Sequence, residues 1–230
     1  MKKIGLIGGI TWQSTQLYYQ YLNEGAAQAL GEKHSCKCLI ESVDFADVAA
    51  KQAADQWDTL NEDLIEISVR LEQAGAEVLL ICANTMHLCA DAIKEKISIP
   101  LLHIAEVCGE EITKKGAKKV LLLGTKYTME LDFYKDILKN QFGIEVVVPS
   151  SEEREVVHNV IYTELAKGII AEDSKKQYLE IIKKNKTRGV EAVILGCTEI
   201  PLLIQQEDCE IPVIDTTAIH ANAAVEFAIS

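Results

Sequence analysis

Three landmarks recur in the same order, at nearly one spacing, along this 230-residue chain. Residues 4–7 run into Gly8-Gly9 and a polar stretch, and residues 120–123 run into Gly124-Thr125 and another, with Gly8 and Gly124 116 positions apart. Residues 78–81 lead into Ala83-Asn84-Thr85 and residues 193–195 into Gly196-Cys197-Thr198, with Ala83 and Cys197 114 apart. Ile99-Pro100-Leu101-Leu102 and Ile211-Pro212-Val213-Ile214 close the series, their prolines 112 apart. A repeat that carries its own glycines and its own apolar runs requires two similar halves, here assigned to 1–115 and 116–230.

The periodicity of each half alternates between short apolar runs and longer amphipathic stretches. Residues 3–7, 37–43, 78–82, 101–103, 119–123, 144–148, 192–195 and 213–214 read as strands. Residues 15–29, 59–74, 88–96, 105–115, 129–140, 156–167, 174–188 and 218–228 read as helices. The runs 78–81 and 120–123 lack polar alternation, as expected of strands covered on both faces. Strand–helix alternation of this kind predicts an α/β fold of two pseudo-symmetric lobes, each a mainly parallel sheet flanked by helices.

Composition narrows the function. Hydrophobic residues make up 48% of the chain, enough for a real core, and the net charge is -12. That charge argues against nucleic acid and anionic membrane surfaces, which need basic patches. No apolar run approaches the roughly 20 residues of a bilayer span. The basic N-terminus Met1-Lys2-Lys3 resembles a signal peptide only as far as Gly8-Gly9, where polar residues begin, so a cytoplasmic location is expected. Seven cysteines, an odd number without Cys-x-x-Cys spacing, argue against a disulfide framework and against zinc, and no metal is expected. Gly8-Gly9-Ile10-Thr11 is neither a dinucleotide fingerprint nor a P-loop, so the expected ligand is small and carries no nucleotide.

Strand ends rich in small and hydroxylic residues are where open α/β sheets bind ligands. Four such loops stand at matching places in the repeat: 8–15, 83–87, 124–128 and 196–199. Each residue type also makes turns and helix caps; their occurrence at all four repeat positions favours a site. Main-chain N–H groups near Asn84-Thr85 and Thr198-Glu199 are candidates to hold a carboxylate. Cys197 follows an apolar strand between Gly196 and Thr198, where a helix N-terminus is expected to lower its pKa. His87 lies three residues past Asn84, as a site residue or a packed histidine. His103 and His220 follow strand-like runs, and His34 and His158 read as surface residues. Asp44 ends the second strand, and Gln52 follows shortly after it. Lys167, before Gly168, is either a solvated cation at a helix end or a donor to a second substrate carboxylate, with Glu164 one turn away.

These segments together resemble one family. Residues 7–15, Ser42-Val43-Asp44-Phe45, Ala83-Asn84-Thr85-Met86-His87, residues 123–129, Leu195-Gly196-Cys197-Thr198-Glu199-Ile200 and Asp215-Thr216-Thr217-Ala218-Ile219-His220 are similar to the aspartate/glutamate racemases, over essentially the whole chain. The resemblance implies two α/β lobes with the site at their interface, a homodimer, and racemisation of aspartate or glutamate without pyridoxal phosphate or any other cofactor. It implies two acid–base groups, one per lobe, on opposite faces of the α-carbon, with Cys197 as the second-lobe group. The candidate substrate contacts are Ile10, Thr11, Gln52, Asn84, Thr85, Thr125, Thr128, Lys167 and Thr198, with Gln52, Lys167 and the hydroxyls of the 125–128 loop the candidates for a second carboxylate.

The chain departs from that pattern at the first-lobe position. The family places cysteine, and in some members threonine, directly before Asn-Thr; here the residue is Ala83, which has no proton to exchange. Cys82 is a poor substitute, because neighbouring strand residues point to opposite faces. Three readings follow: a binding protein with weak or lost activity, a racemase that uses a water held by Asn84 and Thr85, or a one-base enzyme resembling the arylmalonate decarboxylases of the same superfamily.

Overall fold

The computed structural model describes all 230 residues. In chain order it runs β1 (Ile4–Gly8), α1 (Trp12–Leu30), β2 (Cys38–Ser42), α2 (Phe45–Ala53), α3 (Trp57–Gln73), β3 (Val78–Ile81), α4 (Ala90–Lys94) and α5 (Ile104–Lys114). There follow β4 (Lys119–Gly124), α6 (Lys126–Glu130), α7 (Phe133–Phe142), β5 (Glu145–Val147), α8 (Ser151–Thr163), α9 (Glu172–Lys186), β6 (Ala192–Gly196), β7 (Val213–Asp215) and α10 (Thr216–Ile229). The strands form two sheets, ordered β2-β1-β3 and β5-β4-β6-β7, and every pairing is parallel. The fold is α/β with two helix-flanked parallel sheets.

Two compact units hold these sheets. One comprises Met1–Ile104 with His220–Ser230 and the other Ala105–Ile219, against the 1–115 and 116–230 division read from the repeat. The last residues join the first unit because Ala221, Ala224, Val225 and Ala228, spaced as one helical stripe, pack with Ile4, Leu6, Tyr18 and Leu22. The Lys2 amide also donates to the Ala228 carbonyl at 2.7 Å.

In the first unit, alternate residues of β1 and β3 serve two cores. Ile7, Leu79 and Ile81 pack with Leu60, Leu64, Ile67 and Leu71 of α3, whereas Ile4, Leu6, Val78 and Leu80 pack with α1 and α10. Covering both faces explains the unbroken apolar run of β3, since each of its side chains gains burial worth about 1.5–3 kcal/mol. In the second unit Leu121, Leu123, Val193 and Leu195 pack with Val157, Val160 and Ile161 of α8 and Tyr178, Ile181 and Ile182 of α9.

The repeat is visible in individual hydrogen bonds. The carbonyl of Pro100 accepts from the Leu79 amide at 2.9 Å, and that of Pro212 from the Val193 amide at 2.9 Å. The halves differ in extent, however. Val213–Asp215 form a strand on β6, while residues 101–103, expected as a strand, contribute one bridge between Leu79 and Leu101. Other expected elements shift at their ends. Capped by Thr11, α1 begins three residues before the expected start, and α2 was not anticipated because nine residues fall short of the window over which helical periodicity is read. The expected helix at 88–96 is a 3₁₀ turn, Thr85–Cys89, followed by the single turn of α4. Leu131, extended at φ -76° and ψ 150°, breaks the expected helix 129–140 into α6 and α7.

Candidate active site

Each β-strand end presents a tight turn whose geometry the sequence dictates. After β1, Gly9 adopts φ +88°, and a Cβ there would lie 2.2 Å from the Val43 carbonyl, so the turn accepts only glycine. The Gly9 amide donates to Thr15 Oγ1 at 2.8 Å, and the Thr15 hydroxyl donates to the Thr11 carbonyl at 3.1 Å. Thr11 Oγ1 accepts from the Ser14 amide at 3.5 Å, capping α1. The Ser14 hydroxyl donates to the Cys82 carbonyl at 2.5 Å, joining this loop to the end of β3. Ile10 is buried and Thr11 is half-buried.

Ala83 is half-buried at the end of β3 and packs with the α3-side core, whereas Cys82 is buried in the core against α1. The two side chains serve different faces, and burial pushes the Cys82 thiol far above the ordinary range. Asn84 is buried and Thr85 half-buried at the start of the 3₁₀ turn. Gln52, expected at the substrate, is buried with its Nε2 3.2 Å from the Met86 sulfur, so its amide serves the turn that carries residues 84–87.

Beneath that turn lies a histidine cluster. His87 Nδ1 stands 3.0 Å from the Ala83 carbonyl, so it carries the proton and donates; its Nε2 is buried without a hydrogen-bond partner. The His87 ring lies 4.7 Å from His103 and 5.5 Å from His220, centroid to centroid. His220 donates from Nε2 to the Leu102 carbonyl at 2.9 Å and accepts from the Tyr18 hydroxyl at Nδ1, at 2.7 Å. Burial disfavours the charged form of all three rings: His220 is lowered to about 4 and His103 to about 3, and His87 well below its ordinary value.

The second unit repeats the arrangement with different chemistry. Thr125 caps α6, its Oγ1 accepting from the Thr128 amide at 3.4 Å and lying 3.2 Å from the buried Thr128 hydroxyl. Gly124 matches Gly8: a Cβ on it would stand 3.0 Å from the Gly196 carbonyl and 3.2 Å from the Thr128 side chain. The Lys126 amide donates to His158 Nδ1 at 3.2 Å, so His158, read as a surface residue, holds this loop to α8.

Cys197 follows β6 directly. Its thiol donates to Glu199 Oε2 at 2.9 Å, and the buried Thr198 hydroxyl donates to the same oxygen at 2.8 Å. The expected lowering of the thiol pKa by a helix N-terminus is not found. Only the three-residue 3₁₀ turn Ile200–Leu202 follows, too short to present a helix dipole, and the thiol is raised well above its ordinary value. Desolvation is the largest cause and the adjacent Glu199 charge the next, outweighing the amides of Thr198 and Glu199.

Lys167 is exposed and ends a 3₁₀ turn, with Gly168 following at φ +74°. Glu164 Oε2 accepts from the Ser174 hydroxyl at 2.6 Å, tying that turn to α9. Two side chains given no role by sequence stand in the electrostatic surroundings of the thiol. Glu199 is one, and the Gly-Cys-Thr-Glu run offered a signal for it. Tyr162 is the other; its hydroxyl is pushed up to about 12 by burial and by the charges of Cys197, Tyr127 and Glu199. Nothing in the spacing of Tyr162 marks it. No group of three or more His, Cys, Asp or Glu side chains is arranged to hold a metal ion, and no helix is long and apolar enough to cross a membrane.

The chain matches the family model described as Asp/Glu/Hydantoin racemase over residues 7–224. It is 25% identical over 175 residues to the broad specificity amino-acid racemase RacX of Bacillus subtilis, covering 73% of this chain and 72% of that one. Among solved structures, one from Yersinia pestis assigned as an Asp/Glu racemase is 46% identical with a TM-score of 0.95. An aspartate racemase homologue from Pyrococcus horikoshii is 39% identical with a TM-score of 0.89, and in both cases all of each chain is covered.

Proposed function

Because the chain belongs to the Asp/Glu/Hydantoin racemase family, we propose that it acts on the α-carbon of aspartate or glutamate, without a cofactor, through Cys197. The observation that carries this reading is the thiol of Cys197 at the end of β6, hydrogen-bonded to Glu199 within a loop of small and hydroxylic residues. Removing an α-proton leaves a planar carbanion with charge on the carboxylate, and inversion needs acid–base groups on both of its faces. Cys197 serves one face. Amides and hydroxyls of the Ile10-Thr11, Asn84-Thr85, Thr125–Thr128 and Thr198 segments are the donors proposed for the substrate carboxylates. Lys167, exposed at its turn, is proposed for the side-chain carboxylate; Gln52 supports the 84–87 turn.

Ala83 favours a specific refinement. Its methyl group offers no proton at the position where the resemblance places the second acid–base group, so turnover to the mirror-image product is slow and a one-base reaction at the α-carbon competes with it. Aspartate and glutamate differ by one methylene, worth about 1–3 kcal/mol of discrimination in a pocket, and both are substrates to be assayed.

The test is solvent-deuterium incorporation at the α-carbon of each enantiomer of aspartate and glutamate, followed together with optical inversion. The expected result is exchange that outpaces inversion and disappears in Cys197→Ser. Binding of these amino acids with no exchange would sink the catalytic reading and leave an amino-acid-binding protein in its place.

A further inference from the structure

Five of the seven cysteines have their thiols pushed up chiefly by burial: Cys82, Cys89, Cys108, Cys197 and Cys209. Cys36 and Cys38 behave differently because they meet each other. The Ile4 amide donates to the Lys37 carbonyl at 2.9 Å and β2 then pairs Cys38 with Ile4, so the chain already runs alongside β1 at residue 37. Residues 36 and 38 therefore share one face of the extended segment, with exposed Lys37 between them. Cys36 is buried with Ile4, Tyr18, Leu22 and Ala26, and half-buried Cys38 packs at the rim of the same core. Asn23 Oδ1 accepts from the Cys36 amide at 3.0 Å, tying residue 36 to α1. β2 is an edge strand, with β1 as its one neighbour. Two residues of extended chain separate Cα atoms by roughly 6.5 Å, inside the range of about 4.4–6.8 Å that a disulfide spans.

We propose that Cys36 and Cys38 form a reversible dithiol–disulfide pair that reacts with small disulfides of the glutathione class, Cys38 attacking and Cys36 closing the bridge. A bridge across one residue stabilises the fold little, because that contribution grows with loop length; its use is chemical. The Cys36 thiol donates to the Cys38 sulfur, and this hydrogen bond lowers Cys38 to about 7 against the opposing effect of burial. Cys36 is raised, first by the same bond, then by burial and by the charge on Cys38. A thiol that ionises near ambient pH is the most effective attacker in thiol–disulfide exchange.

In the first step the Cys38 thiolate attacks one sulfur of the small disulfide. The S–S bond of the reagent breaks, a new one joins Cys38 to one half, and the other half leaves as a thiolate that takes a proton from water. Cys38 then carries no charge, which removes both the bond and the charge that held the Cys36 proton and leaves burial alone. Cys36 gives that proton to water and its sulfur attacks Cys38. The Cys36–Cys38 bond forms, and the second half leaves as a thiolate and is protonated. Two protein thiols are oxidised, and the reagent is reduced to two thiols. None of these steps involves Cys197, so the proposal stands or falls apart from the racemase reading.

The test uses iodoacetamide and glutathione disulfide on the whole chain at pH 7, with Cys36→Ser and Cys38→Ser beside the unchanged protein. Cleavage after Glu32 and Glu41 puts both cysteines in one peptide, residues 33–41, for mass spectrometry. Cys38 should be alkylated about tenfold faster than half-buried Cys209, since a thiol near 7 is about half ionised at this pH and an ordinary one only a few per cent. With glutathione disulfide the unchanged protein should yield peptide 33–41 lighter by two hydrogens and restored by dithiothreitol. Cys36→Ser should instead hold glutathione on Cys38, and Cys38→Ser should leave Cys36 unmodified. Glutathione that stays on Cys38 in the unchanged protein would overturn the pairing. Glutathione on Cys36 in Cys38→Ser would overturn the order of attack. Alkylation of Cys38 no faster than that of Cys209 in the unchanged protein, which needs no variant to fold, would sink the proposal outright.

Discussion

Position 83 holds a methyl group where the turn around it is otherwise complete: Ser14 grips the Cys82 carbonyl, and His87 donates to the carbonyl of Ala83 itself. A side chain placed there inherits a fixed backbone at a half-buried position. Ala83→Thr or Ala83→Cys should therefore raise the rate of inversion, by as much as about 10²-fold if the new group acts as a general acid–base partner. The check is the ratio of inversion to α-deuterium exchange, which should move toward one. An unchanged ratio in a folded variant would break the equivalence between Ala83 and Cys197. The repeat singled out position 83 in the sequence, whereas the alignment of Glu199 with the thiol depended on side-chain geometry that spacing does not encode.

Among the elements, those that carry the candidate loops are fastened at their starts. Thr11 and Thr125 cap α1 and α6 at repeat-related places, and Ser150 forms a capping box with Glu153 at the head of α8, the helix that carries His158 and Tyr162. Ser150 Oγ accepts from the Glu153 amide at 3.4 Å, and Glu153 returns a carboxylate oxygen to the Ser150 amide at 2.9 Å. Ser150→Ala should cost about 1 kcal/mol, read from urea unfolding, with little change in activity measured where the variant is fully folded. A loss of activity without a loss of stability would show that α8 does more than support the loop. Helix starts such as these are readable from sequence once a cap is sought; the helix interiors, governed by packing, were read well from periodicity alone.

For the whole molecule, acid should weaken the fold before most carboxylates titrate. His103 and His220 are held at about 3 and about 4, chiefly by burial, against an ordinary value of 6.5. Between those values and 6.5 the unfolded chain binds more protons than the folded one, so stability falls as pH falls. It is fully present above about pH 6.5. At pH 5 each of these rings withdraws on the order of 2 kcal/mol relative to neutral pH, from shifts of two or more units. The urea midpoint should drop between pH 7 and pH 5, and His103→Asn should flatten that drop. A midpoint independent of pH across this interval would show that the cluster opens to water.

Periodicity and duplication in the sequence determined the strand–helix alternation, the parallel sheets and the four strand-end loops, because apolar spacing follows from which faces must be buried. The repeat also marked positions 83 and 197 before any coordinates, since a duplicated backbone turn demands the same small residues twice. Tertiary structure alone decided that the C-terminal residues complete the first unit, that His87, His103 and His220 meet, and that Gln52 turns to Met86. It also decided the state of the Cys197 thiol. Desolvation and the Glu199 carboxylate act over a few ångströms between atoms, and their balance depends on distances that a linear pattern does not contain.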